Sequence, residues 1–454
     1  MIRFSNLYLP SRLFVIVALD SLLVTTAVYF SFDASHRASA ALASLTAAAV
    51  LVACFYIFDL YDLDVTRKIR DVLRRSLRAL GAGLLLLVPL WAALLVERPS
   101  YRLLEVNLLL LIAILCIYRT ASEWLHDWVF PGEKLLLVGS DASIHLLADA
   151  LRSHICLPLK LSAIVPERTA QRTSEQAFAM CEDITRIPEV AGTFHPNRVA
   201  LAQDLGSNAS LADELLDLRR HGVHIDDASS LYATITGRVP VALLDIRQLV
   251  FGKALSTSRL ASGMQHLLDC MLSVAALALA APAMLLIALC IKLDSRGPVF
   301  YKQERVGLNG ATFSVYKFRS MRQDAESMSG PTWASSSDAR VTRVGRILRT
   351  LRLDELPQFI NVLRGEMSLV GPRPERPHFV KMLKEQIPFY DLRHTIRPGI
   401  TGWAQVSAAY GASVEESQIK LEYDLFYLLN RTPLLDALIV VKTAKIMLCG
   451  KGAR

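Results

Sequence analysis

The stretch Arg349-Thr-Leu-Arg-Leu-Asp354-Glu355-Leu-Pro357-Gln358-Phe-Ile-Asn361 places two adjacent carboxylates after a run of arginines and just before a proline. It predicts a short helix that begins near Asp354, because a proline is tolerated in the first helical turn, with Gly365 as its C-terminal cap. Such carboxylates lie where free backbone N–H groups attract phosphate. We expect this field to keep Asp354 ionised, as a carboxylate nucleophile requires.

Neighbouring residues of a helix point about 100° apart, so Asp354 and Glu355 are not expected to face each other. We therefore expect different roles for them, such as nucleophile and metal ligand, rather than a shared proton. An isolated Asp-Glu pair more often only complements the helix dipole. Here the basic segments around the pair favour a phosphate site.

Composition indicates a membrane protein with globular parts. The chain has 454 residues, of which 52% are hydrophobic and 20% charged, and this length suits two or three domains. The net charge of +8 suits anionic lipid headgroups or phosphorylated substrates, and we find no nucleic-acid-binding motif. The seven cysteines form no Cys-x-x-Cys pair, which indicates neither a disulfide framework nor a metal site.

Residues 1–130 contain four apolar stretches, each close to the roughly 20 residues needed to cross a bilayer. They are Leu13–Phe30, Ala40–Phe58, Ala79–Val96 and Leu103–Tyr118. The first is too long for the apolar core of a signal peptide, so we predict a four-helix transmembrane domain. Asp20 lies inside the first stretch and is a candidate for a polar contact between helices.

Basic residues in the short loops predict the orientation of these helices. Ten Lys and Arg lie at the N-terminus, in the loop between the second and third stretches and just after Tyr118, whereas three lie in the other two loops. The N-terminus, the middle loop and everything after Tyr118 are therefore expected on the cytoplasmic side.

Residues 131–255 alternate strand-like and helix-like segments, which predicts a doubly wound, Rossmann-like α/β domain. The predicted strands are Lys134–Gly139, Leu159–Val165, Arg198–Ala202 and Val223–Ile225, and the predicted helices are Ala142–Ser153 and Leu211–His221. After the first strand, Gly139-Ser-Asp-Ala-Ser-Ile144 lacks the second and third glycines of a dinucleotide-binding fingerprint. We therefore expect a regulatory or dimerising domain that binds no dinucleotide and is closed by a turn at 236–240.

A fifth apolar run, His266–Ile291, contains Pro282. An interior proline kinks or breaks a helix, and each half is too short to cross a hydrocarbon core of roughly 30 Å. We expect the run to enter the membrane, break at Pro282 and return to the same face, with a proline-kinked full span as the alternative. Residues 292–352 carry 12 Lys/Arg against 5 Asp/Glu, which favours re-entry because so basic a segment should stay on the cytoplasmic face.

Residues 256–454 carry the remaining candidate site residues. Asn309-Gly310 predicts a β-hairpin turn. Lys317 and Arg319 lie two apart on its second strand and are expected to share a face. A converging lysine and arginine suit a diphosphate, whereas a solvated edge strand would carry the same residues as ordinary surface charges.

Arginines recur every third residue from Arg340 to Arg352 along an apolar stripe, which predicts an amphipathic helix. Most of them suit lipid headgroups or solvent, but Arg349 and Arg352 are expected to point at the carboxylates. Gly371-Pro-Arg373-Pro374 and Arg397-Pro-Gly-Ile-Thr-Gly-Trp-Ala-Gln405 are rigid turns. We expect them to line a phosphate and base pocket, although either could be a turn only.

Together these motifs resemble the bacterial sugar transferase family, the monotopic phosphoglycosyl transferases, over about residues 262–454. The matching segments are Tyr301-Lys-Gln-Glu-Arg-Val-Gly307, Tyr316-Lys-Phe-Arg-Ser-Met321, Leu353-Asp-Glu-Leu-Pro-Gln358, Asn361-Val362, Met367-Ser-Leu-Val-Gly-Pro-Arg-Pro374 and Arg397-Pro-Gly-Ile-Thr-Gly402. Over its whole length the chain is similar to the large undecaprenyl-phosphate hexose phosphotransferases that initiate surface polysaccharides. The family's re-entrant helix usually breaks at Ser-Pro, where this chain has Ala281-Pro282.

The resemblance implies that Asp354 attacks the sugar-bearing phosphate of a UDP-sugar, releases UMP and then passes the phosphosugar to polyprenyl (undecaprenyl) phosphate. Glu355 is expected to hold Mg²⁺. The residues expected to bind substrate are Lys317, Arg319, Arg349, Arg352, Arg373, Gln405 and Asp424.

The resemblance also implies a bacterial inner-membrane enzyme, surrounded by membrane lipids, with its catalytic domain on the cytoplasmic face. The reaction would be the first membrane step of exopolysaccharide, capsule or O-antigen synthesis. The sugar stays open between glucose, galactose and an N-acetyl sugar, and a homodimer is one option for the oligomeric state. One alternative is a membrane-anchored nucleotide-sugar dehydratase, which would need an intact glycine fingerprint and a Tyr-x-x-x-Lys pair. Another is a non-catalytic scaffold of a polysaccharide export complex, which would tolerate Asp354→Asn.

Overall fold

The structure is a computed structural model of the chain. It describes residues 2–4, 7–9, 11–32, 37–62, 69–94, 96, 100–129, 133–139, 146–151, 159–166, 179–180, 187–202, 209–244, 259–322, 340–408 and 413–449. These residues belong to two compact units, Met1–Leu231 and Tyr232–Arg454. The predicted domain boundaries near residues 130 and 255 lie outside the described residues and remain predictions.

The N-terminal unit begins with a small antiparallel hairpin and four helices. The hairpin pairs β1 (Ile2–Phe4) with β2 (Leu7–Leu9), and the helices are α1 (Ser11–Tyr29), α2 (Arg37–Ile57), α3 (Ile69–Ala93) and α4 (Tyr101–Val129). By length and composition, α2, α3 and α4 each contain a segment able to cross a membrane, while α1 contributes a shorter apolar helix. The four predicted helices are thus present, but α3 begins about ten residues before the predicted span, so the basic residues Arg70–Arg78 lie in its first turns.

The polar contact expected of Asp20 is confirmed. Its fully buried carboxylate lies 2.6 Å from Arg119 Nη2 and also accepts a hydrogen bond from the Tyr118 hydroxyl. Arg119 further donates to the carbonyl oxygen of Leu60, just after α2. Because a buried charge is tolerated only with an opposite partner, this pair links α1, α4 and the end of α2.

A parallel five-stranded sheet forms the rest of this unit. Its strands are β3 (Glu133–Gly139), β4 (Leu159–Pro166), β5 (Ala179–Met180), β6 (Arg198–Ala202) and β7 (His224–Asp227), in the order β5-β4-β3-β6-β7. The buried side chains of Leu135–Val138 form the continuous apolar run typical of a parallel strand. The four predicted strands are confirmed, whereas β5 was not predicted.

Helices accompany these strands. They are α5 (Ile187–Phe194), α6 (Ala209–Arg220), α7 (Ala228–Thr236) and a short helix at residues 146–151. Residues 140–145, where the second and third fingerprint glycines are missing from the sequence, lie outside the described residues. The doubly wound arrangement and the absence of a dinucleotide therefore remain predictions.

The second unit contains a long apolar helix, α8 (Arg259–Asp294), which is itself long and apolar enough to span a membrane. Pro282 lies inside α8 and does not end it, because one proline removes a single hydrogen bond while the turns on either side remain. Side chains in its middle are strongly exposed, for example Leu279 at 86% and Leu285 at 74%. The structure thus shows one helix rather than two, and re-entry at Pro282 stays a prediction.

After α8 the chain forms the predicted hairpin, β8 (Phe300–Val306) and β9 (Thr312–Phe318), in antiparallel register. Asn309 and Gly310 both have positive φ, 54° and 79°, as the tight turn requires. The elements that follow are α9 (Arg343–Thr350), α10 (Gln358–Leu363), β10 (Ser368–Val370), α11 (Pro377–Gln386), β11 (Gly399–Thr401), α12 (Trp403–Ser407), α13 (Val414–Leu429) and α14 (Pro433–Cys449).

The helix predicted to begin near Asp354 begins later. Arg352 has the left-handed φ of 54°, which ends α9, and Leu353–Glu355 form a separate 3₁₀ turn before α10 starts at Gln358. Asp354 therefore does not lie in the first turn of an α-helix. Gly365, with φ of 75°, ends the segment as predicted.

The turn at 236–240, predicted to close the middle domain, belongs instead to the second unit. Trp403 Nε1 donates to the carbonyl oxygen of Gly237 at 2.8 Å, and Val239 N donates to the carbonyl oxygen of Glu422 at 3.0 Å. The residues of the turn bond to Trp403 and Glu422, which lie far along the chain, rather than to the middle domain.

Candidate active site

Glu355 is the more tightly held of the two adjacent carboxylates. Its Oε1 accepts hydrogen bonds from Lys317 Nζ at 3.1 Å and Arg373 Nη2 at 2.8 Å, while Arg352 Nη1 lies 4.0 Å from Oε2. The side chain is nearly buried. A buried carboxylate paired with several cations is fixed in position, so three predicted substrate-binding residues meet here on one carboxylate.

Asp354 differs from its neighbour. Among the described residues, none makes a hydrogen bond or an ion pair within 4.0 Å with its carboxylate. The adjacent residues thus have different surroundings, as predicted, although a 3₁₀ turn rather than a helical turn separates them. An uncommitted carboxylate beside a cluster of cations is suited to attack a phosphorus atom.

The two carboxyl groups also differ in their ionisation. Burial raises the pKa of Asp354, and the charge of Glu355 raises it further, while Lys317, Arg373 and Arg349 lower it. Burial alone would raise the pKa of Glu355, but Arg373 and Lys317 hold it well below its usual range. The expectation that a helix dipole keeps Asp354 ionised is therefore wrong: it is the nearby cations that oppose its protonation.

Lys317 reaches Glu355 because β9 is tied to the helix after the carboxylates. Asn361, which is fully buried, accepts from Tyr316 N at 3.0 Å and donates to the carbonyl oxygen of Ser314 at 2.8 Å. These two bonds align β9 with α10. The sequence motif gave Asn361 no role of its own, yet Asn361 positions Lys317 through the backbone of β9.

Arg373 is held in place through its backbone. Arg393 Nη2 donates to the carbonyl oxygen of Arg373 at 3.0 Å, and Arg305 Nη1 donates to that of Pro374 at 3.0 Å. The parallel pairing of β10 with β11 carries the chain to this point. Sequence reasoning gave neither arginine a role; Arg305 lies in a quoted motif, whereas Arg393 lies in none.

Asp424 is paired with an arginine rather than with the two carboxylates, and the substrate-binding role predicted for it stays a prediction. Its Oδ2 lies 2.8 Å from Arg393 Nη2. Burial raises the pKa of Asp424 to about 6, against the opposing effect of Arg393. Asp424 therefore acts on Arg373 indirectly, through Arg393.

Arg319 also lies elsewhere than predicted. The strand ends at Phe318, so the two-residue alternation no longer applies at position 319. The guanidinium of Arg319 donates to the carbonyl oxygens of Ser295 at 2.7 Å and Arg296 at 3.0 Å. Cations bind readily to the carbonyls at the C-terminal end of a helix, and Arg319 thus fixes the end of α8.

Gln405 lies in α12, just after β11 ends. Strand β11 pairs in parallel with β10, and the chain runs from the end of β10 to Arg373. Gln405 Nε2 donates to the carbonyl oxygen of Ile400 at 3.2 Å, while its buried Oε1 has no hydrogen-bond donor among the described residues. A buried acceptor without a donor is costly, so a ligand group that donates there would be favoured.

The donor set suits a magnesium ion only together with substrate. No group of three His, Cys, Asp or Glu side chains able to hold a metal occurs within the described part of the chain. Mg²⁺ commonly takes one or two carboxylates and completes its shell with phosphate oxygens and water. Glu355 Oε2, which lies 4.0 Å from Arg352 Nη1, fits that pattern as the single protein carboxylate.

Comparison with known proteins agrees with this geometry. The family model described as bacterial sugar transferase matches residues 260–450. The exopolysaccharide production protein PSS of Rhizobium leguminosarum bv. phaseoli is 42% identical over 193 residues, which cover 40% of this chain and 95% of that protein. The chain belongs to the bacterial sugar transferase family. The candidate active site lies inside the matched segment.

Two further relatives are each similar to less than half of this chain. A UDP-N-acetylgalactosamine-undecaprenyl-phosphate N-acetylgalactosaminephosphotransferase of Aeromonas hydrophila is 48% identical over 221 residues, 49% of this chain and 51% of that protein. An undecaprenyl-phosphate glucose phosphotransferase of Komagataeibacter xylinus is 44% identical over 190 residues, 41% of this chain and 36% of that protein. The chain thus spans about half or less of the length of these two relatives.

Proposed function

We propose that this sugar transferase moves a hexose 1-phosphate from a UDP-sugar to polyprenyl phosphate and releases UMP. The observation that carries the proposal is a contrast within the described residues: Asp354 has no hydrogen-bond or ion-pair partner there, whereas Glu355 is held by Lys317 and Arg373. The names of the related proteins support the substrate classes. We place the reaction at the start of exopolysaccharide, capsule or O-antigen synthesis.

The proposed chemistry has two displacements at one phosphorus atom. An oxygen of Asp354 attacks the sugar-bearing phosphate, the bond to the bridging oxygen breaks, and UMP leaves with the electron pair. A phosphate oxygen of polyprenyl phosphate then attacks the aspartyl phosphosugar and releases the carboxylate. Asp354 must be ionised to attack. Because its pKa is raised, the attack requires a pH above the pKa of Asp354.

The cations have separate tasks in this proposal. Lys317 and Arg373 stabilise Glu355 before substrate binds and neutralise phosphate oxygens once a diphosphate is present. Arg349 adds positive charge near Asp354. Gln405 Oε1 accepts a hydrogen bond from the nucleotide.

A magnesium ion, held by Glu355, would neutralise negative charge on the diphosphate. Adjacent cations already balance much of that charge. The chain's own residues therefore orient the diphosphate, and the ion assists them.

We also propose that α8 enters the membrane and returns to the cytoplasmic face of the bacterial inner membrane. Asp269, near the start of α8, accepts from Ser368 Oγ at 2.6 Å, and Asp294, at its end, accepts from Val344 N at 3.2 Å. Both partners belong to the same unit. A straight helix would separate these two aspartates by about 37 Å, more than a hydrocarbon core of roughly 30 Å, so a full crossing would leave one partner on the wrong side.

A panel of UDP-sugars tests the proposed activity. Purified protein in detergent or nanodiscs is given polyprenyl phosphate, Mg²⁺ and one UDP-sugar at a time, and UMP release is measured. We expect one sugar or a small group to react, and Asp354→Asn to abolish the reaction while the protein stays folded. Failure of every UDP-sugar, or an active Asp354→Asn variant, would overturn the proposal and favour a non-catalytic scaffold.

A further inference from the structure

Gly237–Val241 form a short segment, near the start of the second unit, that is bonded to the rest of the unit at several points. Trp403 Nε1 donates to the carbonyl oxygen of Gly237 at 2.8 Å. Val239 N and Val241 N donate to the carbonyl oxygen and to Oε1 of Glu422, at 3.0 Å and 3.4 Å. Gly237 has φ of 66°, and a Cβ there would lie 3.0 Å from the indole ring, so this close contact favours glycine.

Arg238 adds a charged and aromatic contact to the same place. Its Nη1 lies 3.8 Å from Glu422 Oε2. Its guanidinium carbon lies 5.8 Å from the ring centre of Tyr423 and 5.7 Å from that of Tyr232, within the range of cation–π attraction. Burial raises the pKa of Glu422, and Arg238 opposes that shift. A partly buried ion pair therefore reinforces the backbone hydrogen bonds.

Both anchors of the segment adjoin parts of the candidate active site. Trp403 begins α12 and precedes Gln405 by two residues. Glu422 precedes Asp424 by two residues on α13, and helical positions two apart point about 200° from each other. Helix α13 therefore binds segment 237–241 on one side and, through Asp424, binds Arg393 on the other.

The connection continues to the carboxylates. Arg393 is bound by Asp424 at 2.8 Å and itself holds the carbonyl oxygen of Arg373 at 3.0 Å. Arg373 in turn binds Glu355 at 2.8 Å. An unbroken series of contacts thus joins segment 237–241 to the site, with α13 as its rigid middle.

We propose that segment 237–241 is a positioning element for the nucleotide-binding side of the active site and acts through Trp403 and α13. The inference rests on the function proposed above. Loss of its contacts frees α12 and α13 to shift, which misplaces Gln405 and Arg373 and weakens binding of the uridine nucleotide. The carboxylate of Asp354 makes none of these contacts, so the acceptor lipid phosphate should bind as before.

Arg238→Ala in the full-length protein tests the proposal, with Arg238→Lys as the conservative variant. UMP release is measured while UDP-sugar and polyprenyl phosphate are varied separately, and UMP is also used as an inhibitor. For Arg238→Ala we expect the KM for UDP-sugar and the inhibition constant of UMP to rise about 10-fold together, a size typical of coupling between distant residues. The KM for polyprenyl phosphate should stay within about 2-fold, and Arg238→Lys should recover most of the loss.

Glu422→Gln should shift the same constants in the same direction, and the double variant should be no worse than the more affected single one, because the two residues act as a pair. Lys381→Ala, which removes an exposed charge from α11, is the matched control and should match the wild type.

Unchanged constants for Arg238→Ala, or equal losses for both substrates with a lowered Tm, would overturn this inference and leave the proposed function standing. A wild-type protein that releases no UMP would overturn the proposed function, and this inference with it.

Discussion

Arg373 Nη2 lies 2.8 Å from Glu355 Oε1, whereas no residue that the structure describes forms an ion pair with the preceding Asp354. Arg373 therefore binds Glu355, the carboxylate that is not expected to react. Arg373 can hold Glu355 in one position while the neighbouring carboxylate stays available to a phosphorus atom.

Asp354→Asn and Glu355→Gln should change stability in opposite directions. The folded-state pKa of Asp354 is raised above its unfolded value, so at neutral pH its charge costs stability, and Asp354→Asn should raise the Tm. The folded-state pKa of Glu355 is lowered, so its charge stabilises the fold at every pH above the usual range of a glutamate. Glu355→Gln leaves Lys317 and Arg373 unpaired and should destabilise by about 3 kcal/mol. Thermal unfolding in detergent compares the two variants, and shifts of equal sign would contradict the assignment.

The acid side of the pH–activity profile should contain a step from Asp424. Its pKa is raised to about 6, so acidification through pH 6 protonates it and removes the charge that holds Arg393. We expect kcat/KM to fall below pH 6 in the wild type. In Asp424→Asn the activity should already be low at pH 8, and the step near pH 6 should disappear. The loss of activity that comes from protonation of the nucleophile Asp354 should remain. A step that persists unchanged in Asp424→Asn would show that another group causes it.

Chelation should stop turnover. If Glu355 and the diphosphate hold a magnesium ion, excess EDTA should abolish UMP release, and added Mg²⁺ should restore it. Glu355→Gln should need more Mg²⁺ for half-maximal activity than Lys381→Ala, the surface control. Full activity in EDTA would exclude a metal requirement.

The topology of α8 can be read from single cysteines placed in a variant whose native cysteines have been replaced. Both ends of the helix are bonded to one unit, so cysteines at Gly263 and Ser295 should both react with a membrane-impermeant maleimide from the cytoplasmic side only. A cysteine at Leu279, in the exposed middle of the helix, should react from neither side. Labelling of one end from the periplasm would establish a full span instead.

Local sequence signals predicted the local structure well. Asn309-Gly310 specified the hairpin because few residue pairs adopt positive φ at two successive positions. Apolar runs located the parallel strands and the membrane helices, since burial on both faces or in lipid leaves a continuous pattern. Lys317, Arg352 and Arg373 were predicted at the site, and the structure brings them to Glu355.

The errors concern features that depend on distant parts of the chain. Arg319 was misplaced because the strand end at Phe318 and the end of α8 meet only in the folded structure. Asp354 was placed in a helix because nothing in the sequence marks the left-handed conformation of Arg352. Arg393 was missed because the carbonyl oxygen of Arg373 and the carboxylate of Asp424, which it contacts, belong to residues 20 and 31 positions away along the chain, and no short motif can record such contacts.

The most direct measurement is a search for phosphosugar on Asp354. The purified protein is mixed with the reactive UDP-sugar and Mg²⁺ without acceptor lipid, quenched in acid, digested and analysed by mass spectrometry. We expect a hexose phosphate adduct on the peptide that contains Asp354, absent from Asp354→Asn and lost when polyprenyl phosphate is added before the quench. Steady turnover of the wild type with no adduct on that peptide at any time would contradict this expectation.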